Sequence, residues 1–236
     1  MHIPPLVPVT TPEITLRRVD ARFAYELDNR AAIDRAFEEA RQTRPKLFNG
    51  RFFLLVALER SAAGVVGDMV ETDYASYLSY RAAGFPGEAR NCFPMPALHP
   101  VDGGLLVGRM AGWTANAGRW YPPAGSLDEN DLLPDGRFDM DGNIARELHE
   151  ELGLDARRFP APASWTLVAE PGRLACLRRH DLDMTGAELL AACRRHLAQD
   201  PQPELDDVAI VRSLGDLEDR DAPDFVRAYV AAALGA

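Results

Sequence analysis

The chain has 236 residues, enough for one large globular domain or two small ones, and 47% hydrophobic with 26% charged residues excludes the disordered, collagen-like and disulfide-scaffold classes. A net charge of −10 argues against a nucleic-acid partner, which needs a basic stripe to neutralise phosphates. Apolar runs such as 52–58 stop far short of the roughly 20 residues of a bilayer span, and the proline-broken N-terminus lacks a basic secretory region, so no membrane partner and a cytoplasmic location are expected.

In chain order, residues 13–19 alternate as a first strand, and Ile33, Phe37 and Ala40 recur at helical spacing over 29–42. The β-branched or aromatic runs 51–58 and 65–70 flank a small-residue turn at Ala63 and Gly64 and predict a hairpin. Tyr74, Tyr77 and Tyr80 predict a short helix, with core packing favoured over a base-stacking wall. Between Gly84 and Gly104, Pro86, Pro94, Pro96 and Pro100 predict irregular structure. That stretch is where a boundary would fall, dividing the chain into an extension over 1–100 and a domain over 101–236.

Beyond it, 105–110 and 119–122 read as strands and 125–139 as an acidic, turn-rich, solvated loop. A helix over 141–152 follows, with Asp141 or Asn143 as N-cap and Gly153 as left-handed stop. Residues 165–169 and 173–177 form a strand pair. Thr185-x-x-Glu188 is a capping box that opens a helix to 197. A strand over 207–212 and a helix over 222–234, with Phe225, Val226, Tyr229 and Val230 on one side, complete the chain. Strands with interspersed helices indicate α/β or α+β layering. Cys92, Cys176 and Cys193 are widely spaced and read as buried free thiols. Lys46 is the only lysine among the 26 Lys and Arg residues.

The chemistry concentrates in Arg146-Glu147-Leu148-His149-Glu150-Glu151-Leu152-Gly153-Leu154. On a helix, Glu147, Glu150 and Glu151 stand at i, i+3 and i+4 and share one stripe, while Ile144, Leu148 and Leu152 face the core. Three close carboxylates raise one another's pKa unless a cation intervenes, and their oxygens suit hard ions such as Mg²⁺ or Mn²⁺. His149 lies off that stripe and reads as an exposed helix residue.

This stretch resembles the Nudix box, G-x5-E-x7-R-E-U-x-E-E-x-G-U with U a bulky aliphatic residue, in all seven specified positions from Arg146 to Leu154. The lead-in Trp120-Tyr121-Pro122-Pro123-Ala124-Gly125 is similar to the family's W-x-x-P-G-G turn, with Ala124 replacing the first glycine. Two features depart from the pattern. Gly125 and Arg146 enclose seven residues more than the box does, and the position eight before Arg146 is Phe138 where the pattern has Glu, a role Asp139 or Asp141 takes only by a shift in register.

The resemblance implies a Nudix-like α/β/α sandwich with a mixed sheet and an N-terminal extension. It further implies metal-dependent hydrolysis of a diphosphate bond in a nucleoside diphosphate linked to another group. On that reading Glu150 and Glu151 are the principal metal ligands, Glu147 is a further ligand or anchor, Arg146 orients a carboxylate, and Gly125 borders the substrate. Glu204, Asp206 and Asp207, ahead of a strand, are candidates for a base or extra ligand.

Leu47-Phe48-Asn49-Gly50-Arg51-Phe52 after Lys46, with Glu71-Thr72-Asp73-Tyr74, is similar to the UDP-sugar-cleaving branch of the family. This makes Asn49, Arg51, Asp73 and Tyr74 candidate substrate-binding residues and a UDP-sugar the best single substrate. ADP-ribose or a dinucleotide is the alternative substrate, and a catalytically silent module binding a nucleotide or a partner is the alternative function.

Overall fold

A computed structural model describes residues 1–44, 47–159 and 164–235; Lys46 lies outside them. The first sheet-forming segments are β1 (Val9–Thr11) and β2 (Ile14–Arg18), followed by α1 (Ala24–Thr43), which starts five residues earlier than its apolar spacing implied. The expected hairpin is β3 (Arg51–Arg60) and β4 (Val65–Asp73), antiparallel, with β2 added parallel on the other side of β4. Helix α2 (Tyr74–Ala82) follows at once, capped by the Asp73 carboxylate on the Ser76 N–H. Tyr77 and Tyr80 are buried, Tyr77 stacked on Phe52 with ring centroids 4.4 Å apart.

The irregular stretch expected over 84–104 is instead largely β5 (Asn91–His99), buried along its whole length and parallel to β9 (Arg173–Asp181). Prolines fit here because β5 is the edge of a four-stranded mixed sheet in the order β1, β8 (Trp165–Glu170), β9, β5. Asn91 donates its N–H to Gly172, so odd-numbered residues face β9. Pro94 and Pro96 share the other parity, and their missing donors fall on the side away from the ladder.

A three-stranded sheet joins β6 (Leu105–Met110) to β7 (Trp120–Tyr121) and β10 (Leu205–Val211), the last beginning two residues before its predicted start. Helices α3 (Met140–Leu152), α4 (Gly186–Leu197) and α5 (Asp224–Leu234) complete a mixed α/β fold. Asp139, and neither Asp141 nor Asn143, caps α3; its carboxylate accepts from the Gly142 N–H, while Gly153 at φ 67° closes the helix. The Thr185–Glu188 capping box forms, and Phe225, Val226, Tyr229 and Val230 are the buried face of α5. All three cysteines are buried free thiols. Among the described residues no helix is long and apolar enough to cross a membrane.

The seven residues that exceed the box pattern tie the two halves together. Leu132 and Phe138 bridge across a tight turn, and the Phe138 and Arg18 N–H groups donate to Leu16 and Gly136, stitching the turn to the edge of β2. Phe138 itself is buried edge-on against Phe53, 4.9 Å between centroids, so it is a packing residue.

His99, 3% exposed, places Nε2 3.1 Å from the Tyr229 hydroxyl, and burial, with Arg179 adding to it, pulls its pKa from 6.5 down to about 4. The unfolded chain therefore takes up this proton first. Stability from neutral His99 is fully present above about 6.5 and is lost as pH falls toward about 4. Acidification from pH 7 to 5 is expected to cost about 2 kcal/mol through this group. Denaturation midpoints of His99→Gln against pH should show that much less loss, and parallel profiles for the two proteins would refute the assignment.

Candidate active site

Helix α3 presents its carboxylates unequally. Glu147 and Glu151 are 9% and 5% exposed, whereas Glu150 and His149 point outward. Ile144, Leu148 and Leu152 fill the core beneath, which fixes the roll of the helix. Strand β7 delivers the turn of Pro122, Pro123, Ala124 and Gly125 directly onto this face. The Ala124 backbone amide favours the charged form of Glu151, and a Cβ on Gly125 would come within 2.0 Å of Glu147 Oε1. The glycine is needed for this close approach.

Arg146 organises the cluster. Its Nη1 donates to Glu147 Oε1 at 2.7 Å, and its Nη2 to both oxygens of Asp131 at 3.0 and 3.2 Å, with Glu150 Oε2 3.8 Å away. Asp131, expected in a solvated loop, is 4% exposed and also accepts from the Asn143 Nδ2 and the Asp128 N–H. It supplies the acidic support that counting back from Arg146 placed at Phe138. Asp139 is spent on its cap, and Asp141 pairs with Arg178. The available signal was the count forward from Gly125, since five residues separate Gly125 from Asp131, as in the box, and the extra residues lie after the acid.

Glu204, immediately before β10, joins the helix glutamates electrostatically. Burial raises its pKa, Glu150 raises it further, and it in turn raises those of Glu147 and Glu151. Asp206 turns instead to Arg109 at 2.5 Å, and Asp207 caps Val208 and stands 3.8 Å from Arg194. Burial pushes Glu147 up to about 7 against the pull of Arg146. Glu151, held up first by burial and then by Glu147 and Glu204, lies well above the usual carboxylate range.

Among the described residues no three Asp, Glu, His or Cys side chains form a ready-made metal-binding group. The donor set is nonetheless one that fits a hard divalent ion: Glu151 Oε2 is buried with no hydrogen-bond partner, and mutual repulsion of the carboxylates is what a cation relieves.

The candidates from the first half are placed as follows. Asn49 donates to Asp73 and accepts from the Ala75 N–H, and Asp73 bonds Ser76 and Arg30, so both side chains are engaged in fastening α2. Arg51 pairs with Glu71 and Glu129. Tyr74, half-buried, opens onto a cleft that also reaches Glu204.

No protein-family model and no curated protein matches the sequence. Among solved structures, the chain is similar to the MutT protein from Methanosarcina mazei Go1, at 19% identity over 61% of this chain and 91% of that one, with a TM-score of 0.39. It is also similar to the Nudix hydrolase RenU from M. smegmatis, at 13% identity over 60% and 80%, TM-score 0.37, and to a C. elegans Ap4A hydrolase, at 13% over 61% and 98%, TM-score 0.37. Likeness at this level assigns neither activity nor residue roles. The fold and the site define a mixed α/β protein with an arginine-clamped glutamate helix beside a glycine turn.

Gly125→Ala tests the turn. A methyl there must displace the Glu147 carboxylate from Arg146. Turnover is expected to fall roughly 10–100-fold, the scale of a small misplacement of a reacting group, with the melting temperature little changed. Wild-type turnover in this variant would remove Glu147 from the site.

Proposed function

We propose that this chain is a Nudix-type pyrophosphatase, hydrolysing the diphosphate bond of a nucleoside diphosphate linked to another group with Mg²⁺ or Mn²⁺. The observation that carries the reading is the Gly125 turn packed directly on Glu147, with Arg146 holding Glu147, Asp131 holding Arg146, and the buried Glu151 Oε2 left without a hydrogen-bond partner. A divalent ion bound there polarises phosphoryl oxygens and lowers the pKa of the attacking water. Glu150 and Glu151 are the ligands, Glu147 the further ligand or anchor, and Arg146 a positioning residue. Glu204, whose pKa burial and then Glu150 raise, is the best of the three outside acids to accept the water's proton, since Asp206 is paired with Arg109 and Asp207 bonds the Val208 N–H.

Residues 101–236 carry the catalytic role in this reading and 1–100 shape specificity, with β1 and β5 lending strands to the sheet of β8 and β9. The leading substrate is a nucleotide sugar such as a UDP-sugar, supported by the similarity of the segments around Asn49 and Asp73 to that branch. Incubating the protein with a panel of nucleoside-diphosphate conjugates and Mg²⁺ or Mn²⁺, with products identified by mass, tests this. A nucleoside monophosphate and a phosphorylated second product are expected from at least one conjugate. Binding without turnover across the panel would establish the silent module instead.

A further inference from the structure

A cleft of about 1100 Å³ lies between the N-terminal helices and the segment after β6, and Glu204 forms part of its wall. Its two rims carry large aromatic side chains left in solvent: Phe48, 79% exposed, and Trp113, 51% exposed. The Trp113 indole is fixed by its Nε1–H donating to the Pro203 carbonyl at 3.1 Å, which holds the ring while leaving it accessible. Three arginines, Arg44, Arg81 and Arg119, face the same space, opposed by Glu204 and by Asp221, which stands 3.5 Å from Arg119. In a chain with a net charge of −10 this is a local cationic surplus.

We infer that this cleft binds the nucleoside 5′-phosphate portion of the substrate, with the base against Phe48 and Trp113 and phosphate on the arginines. Water-exposed aromatic rings gain by stacking on a base, and guanidinium forks match phosphate oxygens, so the two features together select a ligand that is flat at one end and anionic at the other. The volume suits a nucleotide. Glu204 then stands where the phosphate end approaches the glutamate helix. This places the base between Phe48 and Trp113 and the phosphate on Arg44, Arg81 and Arg119, with Tyr74 in the cleft wall beside the Asn49 and Asp73 bonds that hold α2 in position. The orientation toward Glu204 rests on the hydrolase reading; binding in the cleft does not.

Trp113 supplies its own probe, because the other two tryptophans, Trp120 and Trp165, are buried. With EDTA present, titration of the full chain with UMP, AMP, GMP and CMP is expected to quench its fluorescence saturably for at least one nucleotide. Trp113→Phe should abolish the signal. Phe48→Ala and Arg81→Gln should keep it but weaken affinity about tenfold or more, with melting temperatures unchanged. Ribose 5-phosphate, which lacks a base, should not quench. Absence of quenching by every nucleotide, an equal response to ribose 5-phosphate, or unchanged affinity in both variants would overturn the inference. Metal-dependent hydrolysis that survives such a result would show that the hydrolase reading stands and this cleft assignment alone fails.

Discussion

Glu151→Gln is expected to lower turnover of the best diphosphate substrate by about 10²–10⁴-fold while leaving the melting temperature unchanged or raised. The amide keeps the shape of the carboxylate and an oxygen to face the Ala124 backbone amide, so the turn is expected to remain in place. It removes a buried charge that burial, Glu147 and Glu204 all disfavour, and this is why stability should not fall. Activity should fall, because Oε2, buried without a hydrogen-bond partner, is the atom that the proposed metal site would offer to a divalent ion. Steady-state kinetics over a Mg²⁺ series, beside a thermal melt, separate these effects. Full activity at saturating Mg²⁺ would remove Glu151 from the metal site, and a large loss of stability would make its role structural.

Asp131→Ala is expected to combine a loss of stability of about 2–4 kcal/mol with a fall in turnover of at least roughly tenfold. The substitution leaves the Asn143 amide without an acceptor in a fully buried position and takes from Arg146 the carboxylate that receives its Nη2. Arg146 is 31% exposed, so water relieves part of its loss, which places the cost below that of a fully buried broken pair. Freed at that end, Arg146 no longer holds Glu147 in one orientation. Asp131→Asn, which can still accept one hydrogen bond from Arg146, should recover part of both losses. Denaturant melts and kcat for the two variants check this; Asp131→Ala with wild-type stability would contradict the buried network.

What the sequence by itself determined were features written in short-range spacing. The i, i+3, i+4 glutamates, the apolar stripe under them, the left-handed stop at Gly153, the Thr185–Glu188 box and the β3–β4 hairpin each depend on neighbours within a few residues, so local pattern suffices. The tertiary structure decided what depends on distant partners. Pro94 and Pro96 are compatible with a buried strand only because β5 is an edge whose open side carries the missing N–H groups. Asp131 resembles the other loop acids until Arg146 and Asn143, 15 and 12 residues away, close on it. Phe138 departs from the box in sequence because the inserted turn needs an apolar plug against Phe53 on a strand of the first half. Glu204 is separated from Glu151 by two strands and a helix, and only the pairing of β10 with β6 brings its charge to the glutamate helix. Burial and opposing charge set which of several similar acids is structural and which is free to act, and both are properties of the assembled core.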